Sequence, residues 1–408
     1  MLNAPDALSR VGLGAGKPVK SAEFVAFVCD QQTEDTIRGF VHDQMIAHAY
    51  VATGTVDDAI RRLQRMERSP SRLLIDLSQS AMPLSDLARL AEVCEPSVSV
   101  ITVGERNDVG LFRNLLQIGV QDYLVKPLTA ELLQRTFAAD ESGEPLQQRR
   151  TGKVLALVGT RGGVGVTTIG VALARQLADV TLRRVAYVDL NPYGGAANTL
   201  LGLTTNNGLT DVLQNVHRLD LQYMERTFVT RGPRLFVLSS ELEYRRDFEL
   251  QAGAISDLVS MLKHYFHYVL LDVPSRAGTL AEEAFASAKN IYVVADRSVH
   301  SARETSRLIR HVLACSSEPT VSVLVNNPGQ PASGRVELPD FAEAIGRPVA
   351  QELPFDGKSV ATAENLGEAV PFESEFGLAI TAIADNLTGT RTTVQPPWYA
   401  RFLPRRRR

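Results

Sequence analysis

The chain has 408 residues, of which 44% are hydrophobic and 22% are charged, and its formal net charge is −3. This composition is typical of a globular protein and argues against bulk attraction to nucleic acid. At this length we expect two domains with short tails. The three cysteines are widely spaced in apolar surroundings, and no signal-peptide-like or membrane-spanning apolar run occurs, so we expect a reduced, cytoplasmic protein.

An α/β domain is predicted over residues 23–137, after an N-terminal tail over residues 1–22. Strand-like apolar runs alternate with segments whose apolar residues recur at helical spacing, which indicates a parallel sheet covered on both faces. The predicted strands are EFVAFVCD (23–30), RLLIDLS (72–78), SVSVITVG (97–104) and DYLVKPL (122–128), with helices around VDDAIRRLQRM (56–66) and DVGLFRNLLQIG (108–119).

Three side chains with functional chemistry follow strands of this domain. Asp30 and Asp76 end the first two predicted strands, and Lys126 precedes a proline at the end of the last one. The carboxyl ends of parallel strands share one edge of a sheet, so these residues could meet over a single crevice.

The order of these residues resembles the receiver domain of two-component response regulators, which has a flavodoxin-like fold. The resemblance implies that Asp76 is the phosphoacceptor candidate, with Asp30 and Lys126 beside it. Gln31 stands at the second acidic position of the family and Val103 at its hydroxyl position, and loss of a carboxylate weakens a magnesium site. We therefore favour a receiver-shaped module for dimerisation or docking, with phosphorylation at Asp76 as the alternative.

A polar segment over residues 138–152 is predicted to link this domain to a second, larger α/β domain over residues 153–388. We expect the second domain to have a mostly parallel sheet. Its predicted strands are KVLALVGT (153–160), RRVAYVDL (183–190), RLFVLSS (234–240), HYVLLDVPS (267–275), KNIYVVAD (289–296) and VSVLVNN (321–327), with a helix at AISDLVSMLKHYF (254–266).

The segment TRGGVGVTT departs at one position from a standard phosphate-binding loop. Such a loop reads G-x-x-x-x-G-K-[ST]; its backbone N–H groups converge on phosphate oxygens, and its hydroxyl binds magnesium. Thr167 stands at the magnesium-ligand position, but Val166 replaces the lysine. The predicted nucleotide-binding residues of the loop are Gly162, Gly163, Val164, Gly165, Val166, Thr167 and Thr168.

The surrounding motifs resemble those of the ParA/MinD ATPases, a family of P-loop NTPases that bind ATP and magnesium. The resemblance implies that Arg161 stands at the signature-lysine position, Asp189 of VDLNP orients the attacking water, and Asp272 of LLDVP is the magnesium-side carboxylate. Asn326 of VSVLVNN would read adenine, although NNP is also ordinary turn chemistry.

The valine predicts weakened nucleotide chemistry. One charge-assisted hydrogen bond contributes roughly 1.5–3 kcal/mol, or about one to two decades in binding constant. The loss of one preorganised donor in the transition state costs about two to three decades in rate. We therefore expect ATP and magnesium binding to be weakened and hydrolysis to be slow or absent.

The final segment over residues 389–408 combines aromatic residues with arginines in PPWYARFLPRRRR. This composition is compatible with weak contact to an anionic membrane surface, and equally with a disordered solubilising tail.

A receiver-like domain before a ParA/MinD-like domain resembles the CpaE/TadZ family of Flp (Tad) pilus assembly proteins over nearly the full chain. The resemblance implies a homodimeric localisation and assembly scaffold in the cytoplasm, placed at the inner membrane or cell pole, whose partners are the pilus secretion ATPase and inner-membrane pilus assembly proteins. The alternatives are an active ATPase that cycles between dimer and monomer, and a phosphorylation-gated response regulator. Nucleic acid is not an expected partner.

Overall fold

The computed structural model describes residues 22–141, 151–204, 206–218, 220–275, 278–327, 329 and 334–389. The chain divides after Thr151 into two compact units. Most of the predicted N-terminal tail and linker, and the aromatic and basic C-terminal tail, lie outside the described residues. Within the described ranges, no helix is both long enough and apolar enough to cross a membrane.

The first unit contains a five-stranded sheet in the order β2-β1-β3-β4-β5, and all its strand pairs are parallel. This is the strand order of flavodoxin-like doubly wound folds. The elements are β1 (Phe24–Val28), α1 (Gln31–Asp43), β2 (Ala49–Thr53), α2 (Val56–Arg65), β3 (Arg72–Asp76), α3 (Pro83–Val93), β4 (Ser99–Gly104), α4 (Val109–Gln117), β5 (Asp122–Val125) and α5 (Ala130–Glu141).

Strand β1 shows why this sheet is covered on both faces. All five of its residues are buried. Val25 and Phe27 contribute to one hydrophobic cluster, whereas Phe24, Ala26 and Val28 contribute to another. Because successive strand side chains point to opposite faces, a continuous apolar run requires helices on both sides.

The second unit contains an eight-stranded sheet in the order β13-β12-β11-β6-β10-β7-β9-β8. Only the β8–β9 pair is antiparallel, so the predicted mostly parallel sheet is confirmed. The elements are β6 (Lys153–Gly159), α6 (Val166–Arg175), a π-helical turn (Gln176–Val180), β7 (Val185–Asp189), α7 (Ala197–Leu201), α8 (Gly208–Gln214), a 3-10 turn (Val216–Arg218), α9 (Leu221–Thr227), β8 (Val229–Arg231), β9 (Leu235–Leu238), α10 (Ala254–Tyr265), β10 (Tyr268–Val273), α11 (Thr279–Ser287), β11 (Asn290–Ala295), α12 (Val299–Cys315), β12 (Thr320–Asn326), α13 (Leu338–Ile345), β13 (Val349–Leu353), α14 (Gly357–Leu366) and α15 (Glu375–Thr388).

The centre of the second sheet positions the phosphate-binding loop. Strand β6 lies between β11 and β10, and β10 lies between β6 and β7. All six residues of β10 are buried. The loops that follow these parallel strands therefore gather at one edge of the sheet, where ligands bind in open α/β folds.

Three strands were not expected from the sequence: β2, β8 and β13. Each lies at an edge of its sheet, where one side lacks a neighbour and the apolar pattern is weaker. Helix α5 also continues to Glu141, into the segment predicted as linker.

Candidate functional site

In the first unit, the structure brings together the three residues that resemble receiver site residues. The ammonium Nζ of Lys126 lies 2.5 Å from Asp30 Oδ2 and 2.6 Å from Asp76 Oδ2. The Asp76 side chain is completely buried, the Lys126 side chain is 12% exposed and the Asp30 side chain is 42% exposed. Lys126 thus bridges two carboxylates at the carboxyl edge of the sheet.

The Asp76 carboxylate is fully engaged within its own unit. Its Oδ2 accepts hydrogen bonds from the Cys29 amide at 2.9 Å and from Lys126, while its Oδ1 accepts from the amide and hydroxyl of Ser78 at 2.9 and 2.6 Å. Burial alone would raise the pKa of Asp76, but the bonds from Lys126, Ser78 and Cys29 together lower it. The carboxylate is therefore charged at neutral pH and already has the donors it needs.

The two positions that depart from the receiver pattern do not direct suitable groups toward Asp76. Gln31 Nε2 donates to Asp35 Oδ1 on the same helix at 2.9 Å. Val103 is buried in the hydrophobic core, and the neighbouring Thr102 hydroxyl donates to the Asp122 carbonyl at 3.2 Å. The hydroxyl that a receiver places beside its phosphoacceptor is thus absent from this position.

In the second unit, the phosphate-binding loop connects β6 to α6. Gly163 and Gly165 have φ values of 73° and 97°, in the left-handed region that glycine adopts without strain. Gly165 is the N-cap of α6, which begins at Val166. The N-terminus of this helix and the loop amides together form a favourable environment for an anion.

Val166 packs against apolar side chains and cannot play the role that lysine has in such loops. Its γ-methyl carbon lies 2.7 Å from the point where a Cβ on Gly159 would be, and the side chain packs against a hydrophobic cluster of the second unit. Gly159 therefore leaves room for an apolar contact beneath the loop. No positive charge is supplied from this position.

The predicted magnesium ligands Thr167 and Asp272 are brought together. The Thr167 hydroxyl lies near enough to the Asp272 carboxylate to lower its pKa, and the Tyr187 hydroxyl donates a hydrogen bond to Asp272 Oδ2 at 2.8 Å. Asp272 is buried, and this burial raises its pKa although both hydroxyl groups lower it. A hydroxyl and a carboxylate are the hard oxygen ligands that magnesium prefers.

Asp189 lies beside Asp272, because the two residues are paired in register between β7 and β10. Burial raises the pKa of Asp189 first of all, and the charge of Asp272 raises it further. Its Oδ1 accepts the Asn191 amide at 3.1 Å, and Gly195 packs so closely that a side chain there would strike the carboxylate. Within the described ranges, neither aspartate forms a salt bridge. The water-orienting role of Asp189 stays a prediction.

Arg161, at the signature-lysine position, pairs within its own chain. Its Nε and Nη2 lie 2.8 and 2.5 Å from Asp296 Oδ2, and its side chain is 42% exposed. Burial would raise the pKa of Asp296, but bonds from Ser298 and Arg161 lower it. Arg161 Nη1 also donates to the Gly162 carbonyl of the loop at 3.1 Å, so the guanidinium joins the phosphate loop to the end of β11.

Asn326 lies against the phosphate loop. Its Nδ2 donates to the Val164 carbonyl at 2.8 Å, its side chain is buried, and it occupies the space where a Cβ on Gly165 would lie. The adenine-reading role of Asn326 stays a prediction. We assign Asn326 to holding the phosphate loop against β12.

The residues of the second unit therefore suit a phosphate group and magnesium better than they suit catalysis. The left-handed glycines and the helix N-terminus fit phosphate, and the Thr167–Asp272 pair fits magnesium. The lysine that would neutralise transferred charge is replaced by a packed valine.

Two contributors were missed in the sequence. Tyr187 stands two residues before Asp189, so the alternation along β7 could have placed it near the same site. Asp296 ends the predicted strand KNIYVVAD, and only the three-dimensional position of β11 beside β6 shows that Arg161 reaches it.

Comparison with known proteins agrees with this description of the second unit. Residues 152–322 match the family model described as an AAA domain. The chain is 28% identical over 268 residues to the uncharacterized protein Rv3660c of Mycobacterium tuberculosis, covering 65% of this chain and 72% of that protein. It is also 28% identical over 252 residues to a putative septum site-determining protein MinD of Emiliania huxleyi, covering 58% and 88%.

Among solved structures, a ParA family ATPase from Chlorobium tepidum superimposes with a TM-score of 0.53 at 20% identity, covering 58% of this chain and 99% of that one. A match to the pilus assembly protein CpaE from Caulobacter crescentus covers 28% of this chain and 96% of that chain at 29% identity, with a TM-score of 0.26. The second unit is therefore similar in sequence and in fold to ParA and MinD proteins. One solved MinD, from Pyrococcus horikoshii in complex with Mg-ADP, superimposes with a TM-score of 0.51 at 17% identity, covering 58% of this chain and 96% of that one.

Proposed function

We propose that the chain is a nucleotide-sensitive scaffold that hydrolyses ATP slowly or not at all. The observation that carries this proposal is the position of Val166. Its side chain packs on Gly159 beneath the loop, while the left-handed glycines around it keep a geometry suited to phosphate. Binding and turnover use different parts of such a loop, so one can persist when the other is lost.

The proposed nucleotide site consists of the loop amides, Thr167 and Asp272. The loop and the N-terminus of α6 would bind the phosphates, and the hydroxyl and carboxylate would hold magnesium. Magnesium would neutralise charge between the phosphate oxygens when bound. Asp189 would orient water if any turnover occurs, and Arg161 would have to leave Asp296 before it could reach a partner's nucleotide.

The first unit supports a scaffold role over phosphorylation-gated control. Both oxygens of Asp76 already accept hydrogen bonds, and Lys126 holds the carboxylate from within the unit. Phosphorylation would have to break these contacts at a side chain that is completely buried. A module in this state is suited to docking or dimerisation.

The arrangement of a receiver-like unit before a ParA/MinD-like unit resembles the CpaE/TadZ proteins, and on that basis we place the scaffold in assembly of a Flp (Tad) pilus machine. Its proposed partners are a second copy of the chain, the pilus secretion ATPase and inner-membrane pilus assembly proteins. Its proposed location is the cytoplasmic side of the inner membrane or the cell pole.

Direct titration with a fluorescent ATP analogue, with and without magnesium, tests the nucleotide proposal, and release of inorganic phosphate is measured on the same preparation. We expect binding that weakens in Asp272→Ala and turnover close to background. Robust phosphate release that disappears in Asp272→Ala would instead establish the active-ATPase alternative. Labelling by acetyl phosphate that is lost in Asp76→Ala would establish the response-regulator alternative.

A further inference from the structure

We infer that Tyr187 is a positioning residue that orients the Asp272 carboxylate for magnesium. The inference rests on the proposed function, because it concerns how the same site holds its cation. The Tyr187 side chain is completely buried, so it would not contact a nucleotide directly. It would act through Asp272, by fixing one carboxylate oxygen so that the other is presented to the metal.

The geometry assigns one donor to one oxygen. Tyr187 lies on β7 and Asp272 on the adjacent strand β10, and the phenol hydroxyl donates to Asp272 Oδ2 at 2.8 Å. Tyr187 is among the largest completely buried side chains of the protein. A buried phenol almost always needs a hydrogen-bond partner, and here that partner is the predicted metal ligand.

The surrounding backbone makes room for this contact. A Cβ on Gly170 of α6 would lie 3.1 Å from both the hydroxyl oxygen and a ring carbon of Tyr187. That separation is tighter than ordinary van der Waals contact. Glycine at position 170 therefore allows the aromatic ring to lie under the first turns of α6 with its hydroxyl directed at Asp272.

The hydroxyl matters more here than in a loop that contains lysine. Val166 contributes no charge, and no described basic side chain forms a salt bridge with Asp272 or Asp189. The Thr167 hydroxyl is also near Asp272, but it is itself a proposed magnesium ligand. Tyr187 is then the donor that keeps the carboxylate in one orientation. Partners of this kind behind a metal ligand contribute about 10–100-fold to metal affinity.

The test compares Tyr187→Phe with the matched variant Tyr292→Phe in the full chain. Tyr292 is a buried tyrosine of β11 in the same hydrophobic cluster, and its hydroxyl has no hydrogen bond to the residues that the structure describes. Binding of the fluorescent ATP analogue is titrated with magnesium, and then in EDTA without metal. The midpoint of thermal unfolding and the circular dichroism spectrum report whether each variant is folded.

We expect Tyr187→Phe to raise the magnesium concentration for half-maximal nucleotide binding by about 10-fold or more, while binding in EDTA changes less than about 2-fold. Tyr292→Phe should leave both measurements unchanged. Gly170→Ala keeps the hydroxyl but presses on the ring, and it should shift the magnesium dependence in the same direction by a smaller factor. If Tyr187→Phe does not fold, Gly170→Ala alone tests the positioning role.

The possible failures are distinguishable. If the unsubstituted protein binds nucleotide with a clear magnesium dependence that Tyr187→Phe and Gly170→Ala share, the positioning role is wrong and the proposed nucleotide site stands. If Tyr292→Phe shifts the magnesium dependence as much as Tyr187→Phe, the effect is one of packing and the positioning role is again wrong. If the unsubstituted protein shows no binding, the proposed function and the positioning role fail together.

Discussion

The two units differ in the hydrogen-bond and charge partners that surround a buried aspartate at the end of a strand. In the first unit, Lys126 lies 2.6 Å from Asp76, and amide and hydroxyl donors complete the shell. In the second unit, Asp272 and Asp189 lie side by side, and within the described residues they receive hydrogen bonds from neutral donors only. The first carboxylate has an internal cation, whereas the second pair would gain one only from a ligand.

This difference has a definite sign in the pH dependence of stability. The pKa of Asp76 is lowered in the folded state, so its contribution is present above the unfolded value of about 3.9 and is lost as the pH falls through the lowered value. The pKa values of Asp189 and Asp272 are raised. Those groups therefore cost stability as the pH rises above about 3.9 toward their raised values. A magnesium ion bound beside this carboxylate pair would reduce the loss of stability that its charge causes.

The largest expected effect on stability comes from removing the charge of Lys126, which pairs with Asp76 in the first unit. Lys126→Met leaves Asp76 buried and charged without its partner, and we expect the free energy of unfolding of that unit to fall by about 3 kcal/mol. Chemical denaturation and amide hydrogen exchange of the first unit measure the loss. Lys289→Met, which removes an exposed lysine, is the control and should change stability by less than about 0.5 kcal/mol. Equal stability of the two variants would show that the bridge is unimportant.

The second prediction introduces a lysine at position 166 of the phosphate-binding loop, where the standard loop has one. Val166→Lys should tighten binding of ATP by about 10-fold or more, because a charge-assisted bond contributes roughly 1.5–3 kcal/mol. It should also produce measurable phosphate release. The control Val166→Met adds length without charge and should bind no more tightly than the unsubstituted protein. Unchanged affinity in Val166→Lys would mean that the side chain stays packed near Gly159 and that the loop geometry is not adaptable.

A third prediction removes one charge from the uncompensated pair. Asp189→Asn should stabilise the second unit at pH 7.5 by about 1 kcal/mol, or roughly 2–4 °C in Tm, since a buried carboxylate no longer has to ionise. At pH 4 the gain should largely disappear, because the raised pKa keeps the aspartate protonated there. Thermal unfolding at both pH values is the measurement. A gain at pH 4 as large as at pH 7.5 would contradict the assigned electrostatic origin.

The smallest effect is expected at the partly exposed pair beside the loop. Asp296→Asn removes the charge that holds Arg161, whose side chain is 42% exposed, and the change in stability should be below about 1 kcal/mol. The pair should be more sensitive to salt than the Lys126 bridge, because solvent screens it. Denaturation at 0.05 and 0.5 M salt tests this difference between the units. A large, salt-independent loss would show that the pair behaves like a buried bridge.

Much of the fold could be predicted because the central strands carry continuous apolar runs. Strands β1, β6 and β10 are buried on both faces, and continuous apolar runs of this kind are easily recognised in a sequence. The edge strands β2, β8 and β13 were missed because their residues are half exposed and alternate weakly.

The candidate sites were predictable to the extent that position along a strand determines which edge a residue reaches. Asp30, Asp76 and Lys126 converge because their strands are parallel. The direction of a side chain is less predictable: nothing in the sequence pattern indicates that the Asn326 amide donates to the Val164 carbonyl. Contacts between elements far apart in the chain, such as Tyr187 with Asp272, require the strand order and register, which the sequence pattern does not contain.

The hydrogen bond from Asn326 to the Val164 carbonyl has a consequence for the entropy of ligand binding. It ties the phosphate loop to β12 before any ligand is present, so the backbone freedom of the loop is lost during folding and not during binding. A preorganised loop loses less entropy when a phosphate arrives. Ligand recognition at this edge can thus proceed with little rearrangement of the loop, and a buried amide contributes to the rigidity that makes this possible.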